Sequence, residues 1–269
     1  MISSEKESVR RRLAIKRRLP FLIHPIRWAR YIRAHFRYPR TAWRLERASA
    51  GRVIRGPFKG LLFPAGQTQG FPELLGVYEE ALVPVIEGVI ASAPDIIVDV
   101  GAAYGYYALG LAMRMPASRV VAYEIDNTRL SLLRKYRSLN NLEDRVELRG
   151  ECTGLSLAAD LGGEKSTFVL VDIEGGEAHL LDPQRVPALR GAEFLVELHE
   201  MFVPRITELL RDRFDASHHQ TIISAVEPKL DDLDLESLGL HGCNLDELAA
   251  MLDEGRELRM QWLHLMPKG

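Results

Sequence analysis

Five ionisable side chains crowd two short stretches: Asp172, Glu174 and Glu177 in "FVLVDIEGGEAHLL", and Glu197 and His199 in "FLVELHE". An imidazole titrates near neutral pH, so His199 is suited to general-base work. Asp172 can orient an acceptor or serve as the base itself. Glu197 and His199 stand two apart in a strand-like run, which points both side chains to one face. A divalent cation held by Asp172, Glu197 and His199 is conceivable. No tight ligand spacing requires one, and the sequence assigns no metal. The plainer reading makes Glu174 or Glu177 an acid at the start of the next helix, where negative charge is favoured. His218 and His219 read as surface or strand-edge residues.

The elements that must position these groups alternate. Strand-like runs lie at 95–100, 119–124, 145–149, 167–172 and 192–198, and helical patterns fill 105–114, 127–139 and 203–213. Repeated β-α units imply an α/β fold: a doubly wound, mostly parallel sheet with helices on both faces. Two further strand-like runs, 218–226 and 258–267, flank a helix over 244–255 with Asn244 as its N-cap. They bring the count to about seven strands, with an antiparallel C-terminal strand. Upstream, 52–64 has the shape of a small hairpin, and "PELLGVYEEALVPVIEGVIA" reads as one helix delivered just before the first strand.

In such sheets ligands bind beyond the carboxyl ends of the strands. The first strand ends there in "IIVDVGAAYGYYALGLA", a strand, a small-residue turn and a helix, and the next strand ends in the acid Glu124 of "VVAYEID". A dinucleotide turn of the type G-x-G-x-x-G wants glycine where Ala103 and Tyr106 stand. S-adenosylmethionine (SAM) carries no phosphate and tolerates this turn better. Its positive sulfonium and amino groups can use nearby carboxylates, and its ribose hydroxyls want an acid such as Glu124.

"VDVGAAYGYYALGLA" with "VVAYEID" resembles motifs I and II of class I SAM-dependent methyltransferases. "LGVYEEAL", "LVDIEGGEAHLL" and "LVELHE" are similar to segments of the FkbM-type methyltransferase family, over about residues 70–200. The resemblance implies a Rossmann-like domain in which Asp99, Gly101, Ala103 and Gly105 line the methionine part of SAM. Tyr104 and Tyr106 would lie near it, and Tyr78 and Glu79 would approach from the preceding helix. Glu124 would bind the ribose, and Glu151 and Cys152 would flank adenine. The cluster Asp172, Glu174, Glu177, Glu197 and His199 converges on the expected acceptor side, with Asp172 also placed to reach the cofactor. Methyl transfer is an in-line displacement, and a hydroxyl acceptor gains from a base or a metal. The implied activity is O-methylation of a small molecule or glycan.

Composition bounds the alternatives. The chain has 269 residues, 46% apolar and 27% charged, with only Cys152 and Cys243, which favours a soluble protein of a reducing, cytoplasmic setting. Residues 1–60 hold 17 Lys or Arg against three Glu, while the remainder is acidic. The chain therefore divides into a basic helical arm, 1–50, and a methyltransferase domain, 51–269. Within the arm, Pro25 suits a first helical turn and Pro39 ends the pattern. Trp28, Tyr31, Ile32, His35 and Phe36 share one side, and Arg27, Arg30, Arg33 and Arg37 the other. The aromatic side is expected to pack on the body or a second subunit, as in a homodimer. An anionic membrane surface is the alternative. Arginines can also neutralise phosphates, so a nucleic-acid methyltransferase competes. Against it, "DIEGG" differs from the Asn/Asp-Pro-Pro-aromatic segment that resembles a base-methylating site, and the body shows no basic stripe. A non-catalytic SAM-binding protein is the third class.

Overall fold

The computed structural model describes residues 32–63, 70–163, 165–226, 228, 230, 234–252 and 260–268. Their centre is one seven-stranded sheet: β1 Ile96–Val100, β2 Arg119–Tyr123, β3 Val146–Arg149, β4 Thr167–Val171, β5 Glu193–Leu198, β6 His218–Ser224 and β7 Gln261–Pro267, in the order β3-β2-β1-β4-β5-β7-β6. The first five strands pair in parallel, and β7 runs antiparallel to both β5 and β6. The doubly wound sheet and the antiparallel C-terminal strand are as the β-α alternation implies.

β1 and β4 are buried along their whole length, as central parallel strands must be when helices cover both faces. Alternate residues feed two cores. Ile97, Val120, Ala122, Phe168, Leu170 and Leu195 pack with α3 (Val83–Ser92), α4 (Tyr106–Arg114) and α5 (Asn127–Leu139). Val98, Val121, Tyr123, Val169, Phe194 and Val196 pack with α6 (Gly154–Asp160), α7 (Glu177–Leu180) and α8 (Ile206–Phe214). Asp126 caps α5 through the amides of Thr128 and Arg129, and Thr153 caps α6 through Ser156.

Three local expectations change. The segment 72–91 is two helices, α2 (Phe71–Leu75) and α3, with a 3-10 turn at Glu80–Leu82 between them. Gly76 makes the break: it sits at φ 83°, and a Cβ there would lie 2.1 Å from the Arg55 carbonyl oxygen. The hairpin expected at 52–64 is a tight loop with a single bridge, Arg52 to Leu62. His218 is buried, not at the surface: it reaches the Ala192 carbonyl through Nε2 at 2.8 Å and packs edge-on against Phe214. His219 is exposed.

Pro39 ends the helical residues 32–37, but it also opens α1 (Pro39–Ser49), where its missing N–H costs nothing. Ala42 and Leu45 of α1 join Phe71, Leu74 and Leu75 of α2 and Leu248, Met251 and Leu252 of α9 (Leu245–Leu252) in a separate cluster. Asn244 caps α9 through the amides of Asp246 and Glu247, as its position implies. The described part of the basic arm therefore packs on the body. The packing does not use the whole aromatic side, because Phe36 is 84% exposed. Trp28, Tyr31, Arg27 and Arg30 lie outside the described residues. No helix among the described residues is long and apolar enough to cross a membrane.

Candidate functional site

β1 and β4 are adjacent, yet one is followed by a crossover toward β2 and the other toward β5, so the strand order reverses between them. That reversal opens a crevice at the carboxyl ends of the two strands. Gly101 stands at its base with φ 92°, and a Cβ there would fall 1.8 Å from the Asp172 carbonyl oxygen. Only glycine lets the ends of β1 and β4 approach this closely. Gly105, at φ 90°, ends the turn and is the residue from which α4 starts.

Four amides of this turn are already engaged. Those of Gly101 and Ala102 donate to the Tyr123 carbonyl, and that of Gly105 to the Ala102 carbonyl. The amide of Ala103 donates to Glu124 Oε2 at 2.9 Å. One turn into α4, the Ala108 amide donates to Asp99 Oδ2 at 3.0 Å. A phosphate cradle needs such amides free and the helix N-terminus unneutralised. Here two of them, those of Ala103 and Ala108, are taken by the carboxyl groups of Glu124 and Asp99.

Four acids converge on the turn. Asp99 is buried, and its burial, joined by the charges of Asp172, Glu124 and Glu79, raises its carboxyl to about 8. Glu124 is also raised by burial, although its Oε1 accepts the Asp126 amide at 2.7 Å. Glu79, at φ 50°, accepts the hydroxyl of buried Tyr107. A site of this sign disfavours an anion and gains from a bound cation, which lowers the mutual repulsion.

The remaining expected cofactor residues divide. Tyr106 belongs to a ring cluster, 5.1 Å from Phe58 and 5.5 Å from both Tyr78 and Tyr107, which fixes α4 to the preceding segment. Tyr104 is buried in the same core. Glu151 is exposed and Cys152 half-buried, both just beyond β3, and burial pushes the Cys152 thiol up to about 12. Two residues escaped the sequence reading. Ile125 and Leu155 are apolar yet exposed beyond β2 and β3, at the rim next to Glu124 and Cys152. Apolar residues at such positions carry no sequence mark of a binding role, and only their exposure singles them out.

On the other side of the crevice, His199 follows β5 and is 6% exposed. Its Nδ1 lies 2.9 Å from Glu177 Oε1, so the neutral ring carries its proton there and turns the Nε2 lone pair outward. Nε2 lies 3.6 Å from Asp172 Oδ1 and 3.5 Å from Glu197 Oε2. Burial works against the imidazolium. The Glu177 bond and the charges of Asp172, Glu177 and Glu174 outweigh it and hold His199 above the ordinary histidine value.

Glu177 is not a solvated helix-start acid. It is fully buried, and besides His199 it accepts the Ile173 amide at 3.2 Å. Glu174 and Gly175, at φ 50° and 97°, make the sharp turn between Ile173 and α7. The structure thus brings Asp172, Glu197 and His199 together and adds Glu177 behind them. A charged cleft lined by Arg119, Arg134, Arg137 and Arg145 together with Glu143, Asp144 and Glu147 lies at the opposite ends of β2 and β3, away from this crevice.

No protein-family model matches the sequence, and no curated protein matches it. Solved structures do. The O-methyltransferase TomG of Streptomyces achromogenes, solved with SAM and involved in tomaymycin synthesis, is 16% identical over 73% of this chain and 93% of its own, with a TM-score of 0.45. An O-methyltransferase of Bacillus cereus with bound SAH is 18% identical over 53% of this chain and 72% of its own, at 0.41. The B. subtilis tRNA methyltransferase TrmK is 12% identical over 68% of this chain and 65% of its own, at 0.41. Likenesses this distant do not choose among acceptors.

Proposed function

We propose that this chain is a SAM-dependent methyltransferase that methylates a hydroxyl of a small molecule or glycan. The observation that carries the reading is the glycine turn at the strand reversal. Its amides are spent on carbonyls and on Glu124, and four carboxylates surround it. That arrangement suits a ligand with a positive sulfonium and ammonium and no phosphate. Glu124 has lone pairs left on both oxygens for ribose hydroxyls. Exposed Ile125 and Leu155 offer apolar surface to a flat base. Glu79, Asp99 and Asp172 place carboxyl groups toward the methionine end, and Asp99, raised to about 8, gains its charge when a cation binds. The motif pattern in "LVDIEGGEAHLL" and "LVELHE" supports an FkbM-type enzyme.

SAM supplies an electrophilic methyl group on sulfur. The chain's own task is to hold a nucleophile in line and manage its proton. The Nε2 lone pair of His199, held outward by Glu177, is equipped to receive a proton or a Lewis acid. Bound SAM would supply the methyl group for an in-line displacement, with the carbon–sulfur electron pair leaving on sulfur. The hydroxyl proton is lost at the His199 side of the crevice. A hydroxyl acceptor is favoured over a nucleic-acid base because the described acceptor side is acidic and carries no aromatic residue directly after Asp172.

Calorimetry should show SAM and SAH binding at one site per chain and no comparable binding of NAD. Incubation with methyl-tritiated SAM and fractionated extracts should label the small-molecule or glycan fraction. Tighter binding of NAD would overturn the cofactor assignment, and label confined to RNA would overturn the acceptor assignment.

A further inference from the structure

We propose that Asp172, Glu197 and His199 bind one first-row divalent cation, with Glu177 positioning His199 from behind. The three residues offer a carboxylate oxygen each from Asp172 and Glu197 and Nε2 from His199, all within 4.8 Å of one another. The two separations from Nε2, 3.6 and 3.5 Å, decide what kind of contact this is. Direct N–H···O bonds to carboxylates would close to about 2.7–2.9 Å. Two ligand atoms each ~2.1 Å from a shared ion, at a tetrahedral angle, stand about 3.4 Å apart. The spacing is that of groups facing a common centre.

A second observation points the same way. His199 is more than nine-tenths buried, and its Nδ1 is engaged by Glu177. Its Nε2 lies between two carboxylates, 3.6 Å from Asp172 and 3.5 Å from Glu197, farther than a direct hydrogen bond to a carboxylate would place it. Among the described residues, His199 is the only ion-pair partner of Asp172 and of Glu177. Glu177 is fully buried, and a buried carboxylate is costly unless it is paired or serves a metal site. Glu177 supplies the outer part of such a site: a carboxylate on the far ring nitrogen fixes the tautomer and raises the basicity of the ligating one.

The donor set selects the ion. One imidazole with two carboxylates suits zinc, iron or manganese better than magnesium or calcium, whose preferred ligands are all oxygen. Three protein ligands leave a position open. What the ion would do there rests on the methyltransferase reading. At the acceptor end of the crevice it would lower the pKa of the hydroxyl to be methylated and favour acceptors with a second oxygen beside it, such as a vicinal diol. Nε2 is then a ligand, and the hydroxyl proton leaves to water past Asp172, whose side chain is one-third exposed.

The test is Mn2+ titration of the EDTA-treated full-length protein, followed by the loss of the free-ion paramagnetic resonance signal, with Zn2+ as competitor. One Mn2+ per chain should bind, and Zn2+ should displace it. Asp172→Asn and His199→Ala should abolish stoichiometric binding, and Glu177→Gln should weaken it about 10–100-fold with the ring's hydrogen bond retained. Circular dichroism monitors folding. If His199→Ala does not fold, the partly exposed Asp172→Asn gives the answer. No stoichiometric Mn2+ or Zn2+ uptake by the wild type, or wild-type uptake by Asp172→Asn, overturns the proposal. SAM binding, measured separately, keeps the two readings apart. A protein that binds SAM but no cation refutes the cation site alone, and one that binds cation but no SAM refutes the cofactor assignment alone.

Discussion

Glu124→Gln asks whether a single carboxylate both builds the glycine turn and recognises the cofactor. Its two oxygens tie two loops together: Oε2 accepts the Ala103 amide in the turn after β1, and Oε1 accepts the Asp126 amide after β2. Glutamine has almost the same shape but only one acceptor oxygen. Whichever way the amide is turned, its NH2 group meets a backbone N–H, and one buried donor loses its partner. Losing a bond to a charged acceptor costs about 1.5–3 kcal/mol. Part of that is offset, because burial already disfavours the ionised form of Glu124. A net loss of about 2 kcal/mol is expected, which in a chain of this size lowers Tm by roughly 4–8 °C.

Binding should fall by more than the folding loss alone explains. The remaining lone pairs of Glu124 are the ones assigned to the ribose hydroxyls, and glutamine presents a donor to one of them. Losing one such charge-assisted bond is worth about 1.5–3 kcal/mol, or roughly 10–100-fold in Kd for SAM and SAH. Calorimetry at a temperature where both proteins are fully folded separates the two effects. An unchanged Kd for SAM would refute the ribose assignment. An unchanged Tm would refute the account of the turn, since two amides would then have proved indifferent to their acceptor.

Asp99 provides a pH test. Its carboxyl is raised to about 8 when folded, well above its ordinary value, so the folded state binds more protons than the unfolded state between about pH 4 and 8. Its contribution to stability is therefore greatest at low pH and declines as pH rises through that window, and Asp99→Asn should flatten the decline in urea-unfolding profiles. A cation bound nearby should release up to about one proton near pH 7, seen as buffer-dependent binding enthalpy that Asp99→Asn removes. Gly101→Ala should unfold at distinctly lower urea concentration and lose SAM binding, because a methyl 1.8 Å from the Asp172 carbonyl oxygen forces β1 and β4 apart. Wild-type unfolding would show that the strand ends can part freely. Cys152, with its thiol pushed up to about 12, should react with iodoacetamide roughly a thousandfold more slowly at pH 8 than an ordinary cysteine and at the normal rate in urea. Fast labelling in the native state would contradict its burial.

Most of the sheet was legible because burial on both faces imposes continuous apolar runs, and β1 to β5 fall within a residue or so of the runs that mark them. The break at Gly76 was not, because its cause is the Arg55 carbonyl, which approaches from a loop twenty residues earlier. Helical periodicity continues through the glycine, and only tertiary contact ends the helix. His218 does lie on the sheet's edge strand, but its burial is hidden from the sequence for a similar reason. Its acceptor, the Ala192 carbonyl, stands just before β5, 26 residues earlier, and leaves no mark beside "SHHQ".

The same argument explains why the candidate site was half visible. Asp172, Glu197 and His199 announce themselves as polar residues at strand ends, where an α/β sheet places its chemistry. Glu177 stands with them but with two readings open, because an acid at the first position of a helix already has a sufficient local reason to be there. What separates the two explanations is solvent. An acid serving only the helix end keeps its charge in water, whereas Glu177 is fully buried and spends one oxygen on His199 and the Ile173 amide. Its other oxygen has no hydrogen-bond partner. Burying a carboxylate in this way is costly unless the charge is used. Its use here is to fix one ring nitrogen so that the other faces Asp172 and Glu197. Because that demand comes from a side chain 22 residues away, it is recorded in the packing and not in the local sequence.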